Sequence, residues 1–464
     1  MSGRGFEALR AQIAPCRPGR QLARVCGVGR GLVRLRGGQG WRIGDRIRLI
    51  RGDASGEIVA IDAEGATALA DGPVDGIRLG DRVEVLAAAG IAPDESWIGR
   101  VIDAFGAPLD GRPLLRGGAE RPLRASPPPA ATRRRMGGRL RTGLAAFDTL
   151  LPIVRGQRIG LFAGSGVGKS SLLADLARGV AADLAVIALI GERGREVREF
   201  VEDILGPEGM ARSIVVAATS DQSPVVRRRA AWTAMAIAEH FRDAGDHVLL
   251  LADSVTRFAE AHREVALAAG EPATLRGFPP STAHQITALC ERAGPGPEGG
   301  GDITAVLSVL VAGSDLEEPV ADIMRGVLDG HVVLDRAIAE RDRFPAIDLL
   351  RSVSRALPRA ASAEENALIA RARQLLGAYD RAELMIQAGL YAPGSDPLVD
   401  AAIRVWPALD AFLSEPQPRG VEESFRRLAA ILAGAEPVSP APDGRSLAGT
   451  AVPLAEPADG GAGR

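Results

Sequence analysis

The sequence predicts an α/β fold in which a small β-barrel precedes an α/β core and a helical region follows it. Three changes of pattern along the 464 residues support this prediction. Short apolar runs separated by glycine turns come first, runs that are apolar throughout alternate with helical segments in the middle, and helical periodicity dominates the end. The chain is longer than one core usually serves, so several domains are expected.

The composition excludes several classes of protein. A net charge of −2 gives no electrostatic reason to expect nucleic acid or anionic lipid as the main partner. Cys16, Cys26 and Cys290 are odd in number and lack metal-site spacing, which favours inert thiols in a reducing cytosol. Apolar stretches such as 303–312 reach about half of the ~20 residues of a membrane helix. A cytoplasmic protein is therefore expected.

The N-terminal region is predicted to contain two units. In residues 1–20, Phe6, Leu9 and Ile13 recur at helical spacing and predict a short amphipathic helix with a docking or membrane-surface role, with a frayed terminus as the alternative. Residues 21–90 contain short apolar runs between glycine turns, which is the pattern of a small β-barrel.

The α/β core is predicted over residues 91–362. Strands that are apolar on both faces indicate a parallel sheet covered by helices. Within this region, 117–138 is rich in proline and predicts a linker or a strap across the surface. Its triple arginine, 133–135, is interpreted as a solvated run, with contact to phosphate or RNA as the alternative. The predicted strands are 157–163, 184–190, 214–218, 247–252 and 303–311.

The C-terminal part is predicted to be helical over residues 363–434. Its last helix places Val421, Phe425, Leu428 and Leu432 on one apolar stripe. The tail, 435–464, lacks aromatic residues and is rich in proline, glycine and alanine, so it is predicted to be disordered.

A single lysine occurs among the 56 lysine and arginine residues, and it is Lys169 in the segment AGSGVGKS at 163–170. This is a phosphate-loop pattern between a predicted strand and a predicted helix, where backbone N–H groups and the helix N-terminus favour phosphate. The compact ammonium of Lys169 is predicted to grip the β- and γ-phosphates of a nucleotide, and the hydroxyl of Ser170 to hold Mg²⁺. The predicted nucleotide-binding loop consists of Gly164, Ser165, Gly166, Val167, Gly168, Lys169, Ser170 and Ser171.

Two other segments carry charged residues directly after predicted buried strands. Asp253 follows 247–252, and Glu192 and Arg193 follow 184–190. Phosphate loops open at this carboxyl edge of a parallel sheet, so Asp253 is predicted to act on the Mg²⁺ shell. Glu192 is predicted to orient the attacking water, with Arg193 near the γ-phosphate. The alternatives are a helix cap for Asp253 and an ion-paired turn for the other two.

Several segments together resemble the flagellar type III export ATPase family. The injectisome secretion ATPases are close relatives of that family, and the catalytic subunits of rotary ATP synthases are more distant ones. The similarity covers roughly residues 20–415. The segments that carry it are TGL at 142–144, GQRIGLFAGSGVGKS at 156–170, IGERGREVREF at 190–200, ADSVTRF at 252–258, GFPPST at 277–282 and DGH at 329–331.

The resemblance implies a RecA-like ATPase core and a homohexameric ring that hydrolyses ATP with Mg²⁺ at sites between subunits. Glu192 is similar to the catalytic glutamate of these enzymes and Asp253 to their Mg²⁺-site aspartate. Arg355 resembles the arginine finger that reaches into a neighbour's site, with a surface salt bridge as its alternative role. Phe344 takes the position whose aromatic ring packs on adenine.

The resemblance also implies partners and a location. These are a negative regulator at the N-terminal helix, a central stalk protein in the ring's pore, substrate–chaperone complexes and the membrane export gate. The ring is thereby expected in the cytoplasm, peripherally associated with the inner membrane. No specific nucleic acid is expected.

Three alternative functions remain open at this point. An injectisome ATPase is the first, although the segments 317–322 and 339–345 are more similar to the flagellar branch. A Rho-like RNA translocase is the second, yet Trp41 is the only aromatic residue in the barrel segment between residues 21 and 86. A non-hydrolysing structural subunit is the third, and the presence of Glu192 argues against it.

Overall fold

The computed structural model of the protein describes residues 21–52, 54–86, 90–274, 277–311, 316–416 and 419–435. The predicted docking helix within residues 1–20 and nearly all of the predicted disordered tail lie outside the described residues. Across the described ranges, the helices are too short or too polar for any of them to cross a membrane.

The N-terminal part is a closed six-stranded barrel with the strand order β1-β2-β5-β4-β3-β6. Side chains alternate along its strands, so that Val33 and Leu35 face a buried interior while Arg34 and Arg36 between and beyond them are exposed. The barrel predicted from the glycine-punctuated apolar runs is confirmed. Its strands are β1 (Gln21–Gly29), β2 (Leu32–Arg36), β3 (Arg46–Leu49), β4 (Ser55–Asp62), β5 (Gly65–Ala70) and β6 (Arg82–Leu86).

The core is a nine-stranded sheet in the order β15-β14-β8-β13-β11-β9-β10-β7, with β12 paired to β13. Pairing is parallel from β14 to β7, and β15 and β12 are antiparallel to their neighbours. The five predicted core strands are confirmed to within two residues at each end. The strands are β7 (Arg100–Ile102), β8 (Arg158–Ala163), β9 (Leu184–Glu192), β10 (Ser213–Thr219), β11 (His247–Asp253), β12 (Gly294–Pro295), β13 (Asp302–Leu310), β14 (Gly330–Leu334) and β15 (Ile347–Ser354).

Both faces of this sheet are covered, which explains why its strands are apolar throughout. Along β9, Ile187 and Leu189 point into one apolar cluster while Val186 and Ile190 point into the other. Burial of each such aliphatic side chain contributes about 1.5–3 kcal/mol to the free energy of folding. The helices of this part are α1 (Ala145–Asp148), α2 (Lys169–Gly179), α3 (Gly194–Glu199), α4 (Gly206–Met210), α5 (Pro224–Ala244), α6 (Val255–Ala268), α7 (Ser281–Arg292), α8 (Pro319–Val327) and α9 (Arg336–Glu340), with a π-helical turn at Phe200–Leu205.

The proline-rich segment 117–138 runs as an irregular strap to the amino edge of the sheet. Arg133 donates to the main-chain oxygen of Glu291, and Arg134 donates to Asp302 at 2.7 Å. The predicted strap is therefore observed, but the interpretation of its triple arginine as a solvated run is wrong for two of the three side chains. Of these three arginines, only Arg135 has an exposed side chain.

Three helices form the C-terminal part: α10 (Ala363–Gln387), α11 (Pro397–Ser414) and α12 (Val421–Ala433). Ser362 and Glu365 form a capping box that satisfies the first N–H groups of α10. The predicted stripe of α12 packs into the same apolar cluster as α2, with Phe425 and Leu428 buried. Ala435, the first residue of the predicted disordered tail, is instead buried.

Candidate active site

The predicted phosphate loop connects the buried strand β8 to helix α2 at the carboxyl edge of the sheet. Gly166 and Gly168 have φ values of 76° and 81°, a left-handed conformation that favours glycine. Val167 is buried beneath the loop, whereas Ser165 and Ser171 are exposed. Helix α2 begins at Lys169, so its unpaired N–H groups and positive dipole end face the space above the loop.

Three charged residues converge above this loop, as the strand order requires. Strands β8, β13, β11 and β9 are consecutive neighbours, so the residues at their carboxyl ends meet. The Nζ atom of Lys169 donates to Oδ1 of Asp253 and lies 3.5 Å from Oε1 of Glu192. Ser308 of β13 donates to the same Oδ1 of Asp253 at 2.7 Å. The structure thus brings together the three residues that the sequence predicted separately.

Glu192 has a perturbed acidity. Burial raises the pKa of Glu192 above its ordinary value, the negative charge of Asp253 raises it further, and the ammonium of Lys169 opposes both effects. A carboxylate whose pKa is raised is a better proton acceptor near neutral pH. This electrostatic setting suits a group that orients and polarises water.

Asp253 does not serve as the helix cap that the sequence left as an alternative. The N-cap of α6 is Ser254, whose side chain accepts from the N–H of Arg257. The side chain of Asp253 instead accepts hydrogen bonds from Lys169 of the loop and from Ser308 of β13.

The residues present fit a magnesium ion bound together with a nucleotide. Within the described ranges, no group of three or more His, Cys, Asp and Glu side chains could hold a metal on its own. Mg²⁺ commonly uses only one or two protein oxygens together with water and substrate phosphates. Ser170 at the start of α2 and Asp253 at the end of β11 supply a hydroxyl and a carboxylate oxygen of the kind that Mg²⁺ prefers.

Arg193 is not part of the charged cluster. Its side chain is 76% exposed and pairs with Glu196 at 3.2 Å, which is the ion-paired turn that the sequence left open. Arg355 also lies apart from the loop, just beyond β15 at the edge of the sheet, and its side chain donates to the main-chain oxygen of Arg325 at 3.2 Å. In the described part of the chain, Arg355 has no carboxylate partner of the kind a surface salt bridge needs.

Phe344 borders a cavity on the other side of the phosphate loop. A Cβ atom at Gly168 would lie 2.9 Å from Cδ1 of Phe344, so the ring packs directly on the loop backbone. The cavity has a volume of ≈ 760 Å³, and Gly166, Ser171 and Pro416 also line it. Because Phe344 is 43% exposed, its ring can pack against a flat ligand.

The sequence prediction gave no role to Arg257, which also reaches the site. A Cβ atom at Gly191 would lie 3.2 Å from the Cβ and Cγ atoms of Arg257. Arg257 also lines a second cavity with Gly164 and Ser165 of the loop, and its guanidinium pairs with Glu260 at 2.8 Å. The sequence feature that could have drawn attention to Arg257 is its position in the segment ADSVTRF, four residues after Asp253.

Comparisons with known proteins agree with this geometry. The model of the ATP synthase alpha/beta family, nucleotide-binding domain, matches residues 143–354, which contain every residue of the cluster. The model of the T3SS EscN ATPase C-terminal domain matches residues 361–430. The fold and the site therefore define a P-loop ATPase of the ATP synthase α/β class.

Individual proteins similar to this chain identify its family within this class. The flagellum-specific ATP synthase of Caulobacter vibrioides is 46% identical over 422 residues, covering 88% of this chain and 95% of that protein. The assembled ATPase EscN of the enteropathogenic E. coli type III secretion system superposes with a TM-score of 0.82 at 37% identity, covering 88% of this chain and 100% of EscN. EscN in complex with its central stalk EscO gives 0.79 at 36% identity, with the same coverage. The chain belongs to the family of flagellum-specific ATP synthases and type III secretion ATPases.

Proposed function

We propose that this ATPase assembles into a homohexameric ring with ATP sites shared between adjacent copies, and that its cycle energises flagellar type III protein export. One observation carries the shared site. Arg355 is exposed beyond an edge strand and away from its own chain's loop, and the guanidinium of the same chain that does reach the loop, Arg257, is already paired with Glu260. A site of this kind is complete only when a neighbour supplies the arginine.

Each residue has a proposed task in the cycle. An incoming triphosphate draws Lys169 away from Asp253 and Glu192, because the phosphate oxygens carry more negative charge than either carboxylate. Glu192 is then free to orient the attacking water. Ser170 and Asp253 hold Mg²⁺, which when bound neutralises charge on the β- and γ-phosphate oxygens.

One aromatic and two cationic contacts complete the proposed site. The ring of Phe344 packs on the adenine base. Arg355 of an adjacent copy stabilises charge on the transferring phosphoryl group, a contribution worth about 10³–10⁵ in rate in enzymes of this kind. Arg193, although exposed in the isolated chain, is proposed to turn toward the γ-phosphate in the assembled ring.

The proposed division of labour follows the predicted domains. Residues 1–20 dock a regulator, the barrel at 21–90 and the core at 91–362 build the ring, and the helical domain at 363–434 faces a central stalk protein. The reported complex of EscN with its central stalk EscO supports the stalk as a partner. Substrate–chaperone complexes and the membrane export gate are the other proposed partners, which implies a cytoplasmic ring held peripherally at the inner membrane.

An injectisome ATPase is the second candidate function, because the superposition with EscN covers the full length of the EscN chain. RNA translocation is disfavoured, since Trp41 is the only aromatic residue in the barrel segment and it packs against the apolar interior of the barrel. Filter binding with labelled RNA tests that point. Expression beside flagellar genes, and loss of motility on deletion, would separate the two export functions.

The test of the proposed function is the ATPase rate per chain as a function of protein concentration, with particle mass measured in parallel. A shared site predicts that the rate per chain rises with the fraction of assembled rings. A constant rate per chain across the transition from monomer to ring would contradict the shared site.

A further inference from the structure

The cavity beside Phe344 has a polar wall formed by one face of helix α2. Ser171, Asp175 and Arg178 lie at positions i, i+4 and i+7 of this helix, and all three line the cavity with Phe344. The cavity therefore offers an aromatic ring together with a carboxylate one turn beyond Ser171. A ring binds the flat face of any base, whereas a carboxylate can distinguish the edge of one base from that of another.

The carboxylate of Asp175 has an ion-pair partner on the same helix. Its Oδ1 accepts from Nη2 of Arg178 at 2.6 Å. The other end of that guanidinium donates to the main-chain oxygens of Ile204 and Leu205, so Arg178 is anchored to the π-helical turn. Asp175 is 43% exposed at its side chain, and in the described part of the chain its Oδ2 has no hydrogen-bond partner.

The spacing along α2 places Asp175 well beyond the phosphate loop. Asp175 lies six residues after Lys169, which is about 9 Å along the helix axis. In the placement proposed above, a nucleotide whose β-phosphate rests on the loop passes Ser171 and enters the cavity that Ser171 and Asp175 both line. Its base then lies against Phe344 with one edge facing α2.

We infer that Asp175 selects 6-aminopurine nucleotides by accepting a hydrogen bond from the exocyclic amine through Oδ2. Guanine and hypoxanthine present a carbonyl oxygen at the same position, which would face the carboxylate without a proton between them. Arg178 is a positioning residue that holds the carboxylate in place. This inference rests on the proposed placement of the nucleotide and adds the base specificity of the same site.

The test compares kcat/KM for ATP and ITP, because these differ only at position 6 and the adjoining N1 proton. Wild type is expected to prefer ATP by about 10–100-fold, the value of a hydrogen bond to a charged group. In Asp175→Asn the ratio should fall to within about threefold of unity, since an amide can accept from an amine or donate to a carbonyl. The ratio is independent of the fraction of folded enzyme, so a less stable variant remains informative.

Two further variants sharpen the test. Asp203→Asn makes the same chemical change at an exposed residue of the π-helical turn outside the cavity, and it should leave the ATP/ITP ratio unchanged. Arg178→Gln frees Asp175 to rotate, so it should lower the ratio and raise KM for ATP with kcat unchanged.

An unchanged ratio in Asp175→Asn would overturn the inference, as would a wild type that uses ATP and ITP equally or prefers ITP. These outcomes leave ATP hydrolysis at the loop intact. A wild type that hydrolyses neither nucleotide in its assembled form would instead remove the proposed function and this inference together. The two failures therefore give different results.

Discussion

The two edges of the central sheet use different kinds of cation, an ammonium at one and a guanidinium at the other. At the carboxyl edge, the ammonium of Lys169 lies between the carboxylates of Asp253 and Glu192. At the amino edge, the guanidinium of Arg158 lies between Asp329 and Glu291. Both edges pair a partly buried cation with two acids, yet one belongs to the proposed active site and the other to the structural frame.

The amino edge is satisfied by the protein itself. Both the main-chain N–H and Nε of Arg158 donate to Oδ2 of Asp329 at 3.0 Å, and Nη1 donates to Glu291 at 2.6 Å. Burial opposes the charge of Arg158, but these hydrogen bonds and ion pairs outweigh it and raise its pKa. A planar fork with this many bonds in place is suited to a permanent contact.

The carboxyl edge is built for exchange. An ammonium is a compact point charge on a flexible stem, so it can leave one oxygen ligand for another at small geometric cost. In the proposed cycle, Asp253 and Glu192 hold Lys169 until phosphate oxygens replace them. The comparison teaches that, at these two edges of the sheet, arginine serves where the cation stays in place and lysine serves where the proposed cycle requires it to move.

The largest predicted effect comes from changing the cation that moves. Lys169→Ala should abolish ATP hydrolysis, because no other side chain of the loop can neutralise the β- and γ-phosphates. Lys169→Arg should also lower kcat by at least about a thousandfold. A guanidinium would keep its ion pairs with both carboxylates, and it is too large for the space that the loop leaves for an ammonium. Phosphate release from assembled rings measures both.

The Arg variant separates charge from geometry. If Lys169→Arg turned over ATP at a rate near that of wild type, the cation need not be compact and the distinction between the two edges would fail. Circular dichroism and particle mass serve as controls that each variant folds and assembles.

The next largest effect tests whether a neighbour completes the carboxyl edge. Arg355→Ala should lower kcat by about 10³-fold or more, as expected for loss of an arginine finger. When Arg355→Ala is mixed with Lys169→Ala, some interfaces combine an intact loop with an intact arginine, so activity should reappear. Failure to recover activity in verified mixed rings would count against action between subunits.

Glu192→Gln is expected to bind ATP but to hydrolyse it at least about a hundredfold more slowly, because the amide cannot accept a proton from water. The pH profile adds a second readout. A general base works only when ionised, so kcat/KM of wild type should fall as pH drops through the raised pKa of Glu192. That limb should disappear in Glu192→Gln, whereas an unchanged kcat would exclude Glu192 as the group that orients water.

Much of the carboxyl edge could be predicted from the sequence, because its residues follow from local pattern. Asp253 and Glu192 come at the ends of predicted buried strands, and the carboxyl ends of parallel strands share one edge of the sheet with the phosphate loop. The phosphate loop is likewise a contiguous segment with its own conformational demands at Gly166 and Gly168. These features need no knowledge of distant contacts.

The amino edge could not be predicted in this way, because its partners are far apart in sequence. Arg133 and Arg134 resembled a solvated run until the fold brought Glu291 and Asp302 beside them. Asp175 failed to stand out for the same reason, since its setting depends on Arg178 and on main-chain oxygens about thirty residues later. Position in sequence does not show which charges the fold will pair.

The smallest predicted effect comes from changing the cation that stays. Arg158→Lys keeps the charge but loses the fork that bonds Asp329 and Glu291 together, so it should lower the free energy of unfolding by about 1–3 kcal/mol. Urea unfolding measures this loss, and kcat per folded ring should stay within about twofold of wild type.

A matched control lies on the surface, where Arg336 and Glu340 form an ion pair with side chains 78% and 65% exposed. Arg336→Lys should change the free energy of unfolding by no more than about 0.5 kcal/mol, because exposed pairs contribute little. If Arg158→Lys were as mild as Arg336→Lys, the amino edge would tolerate an ammonium. The choice of arginine there would then have no structural cause, and the contrast with Lys169 would rest on the phosphate loop alone.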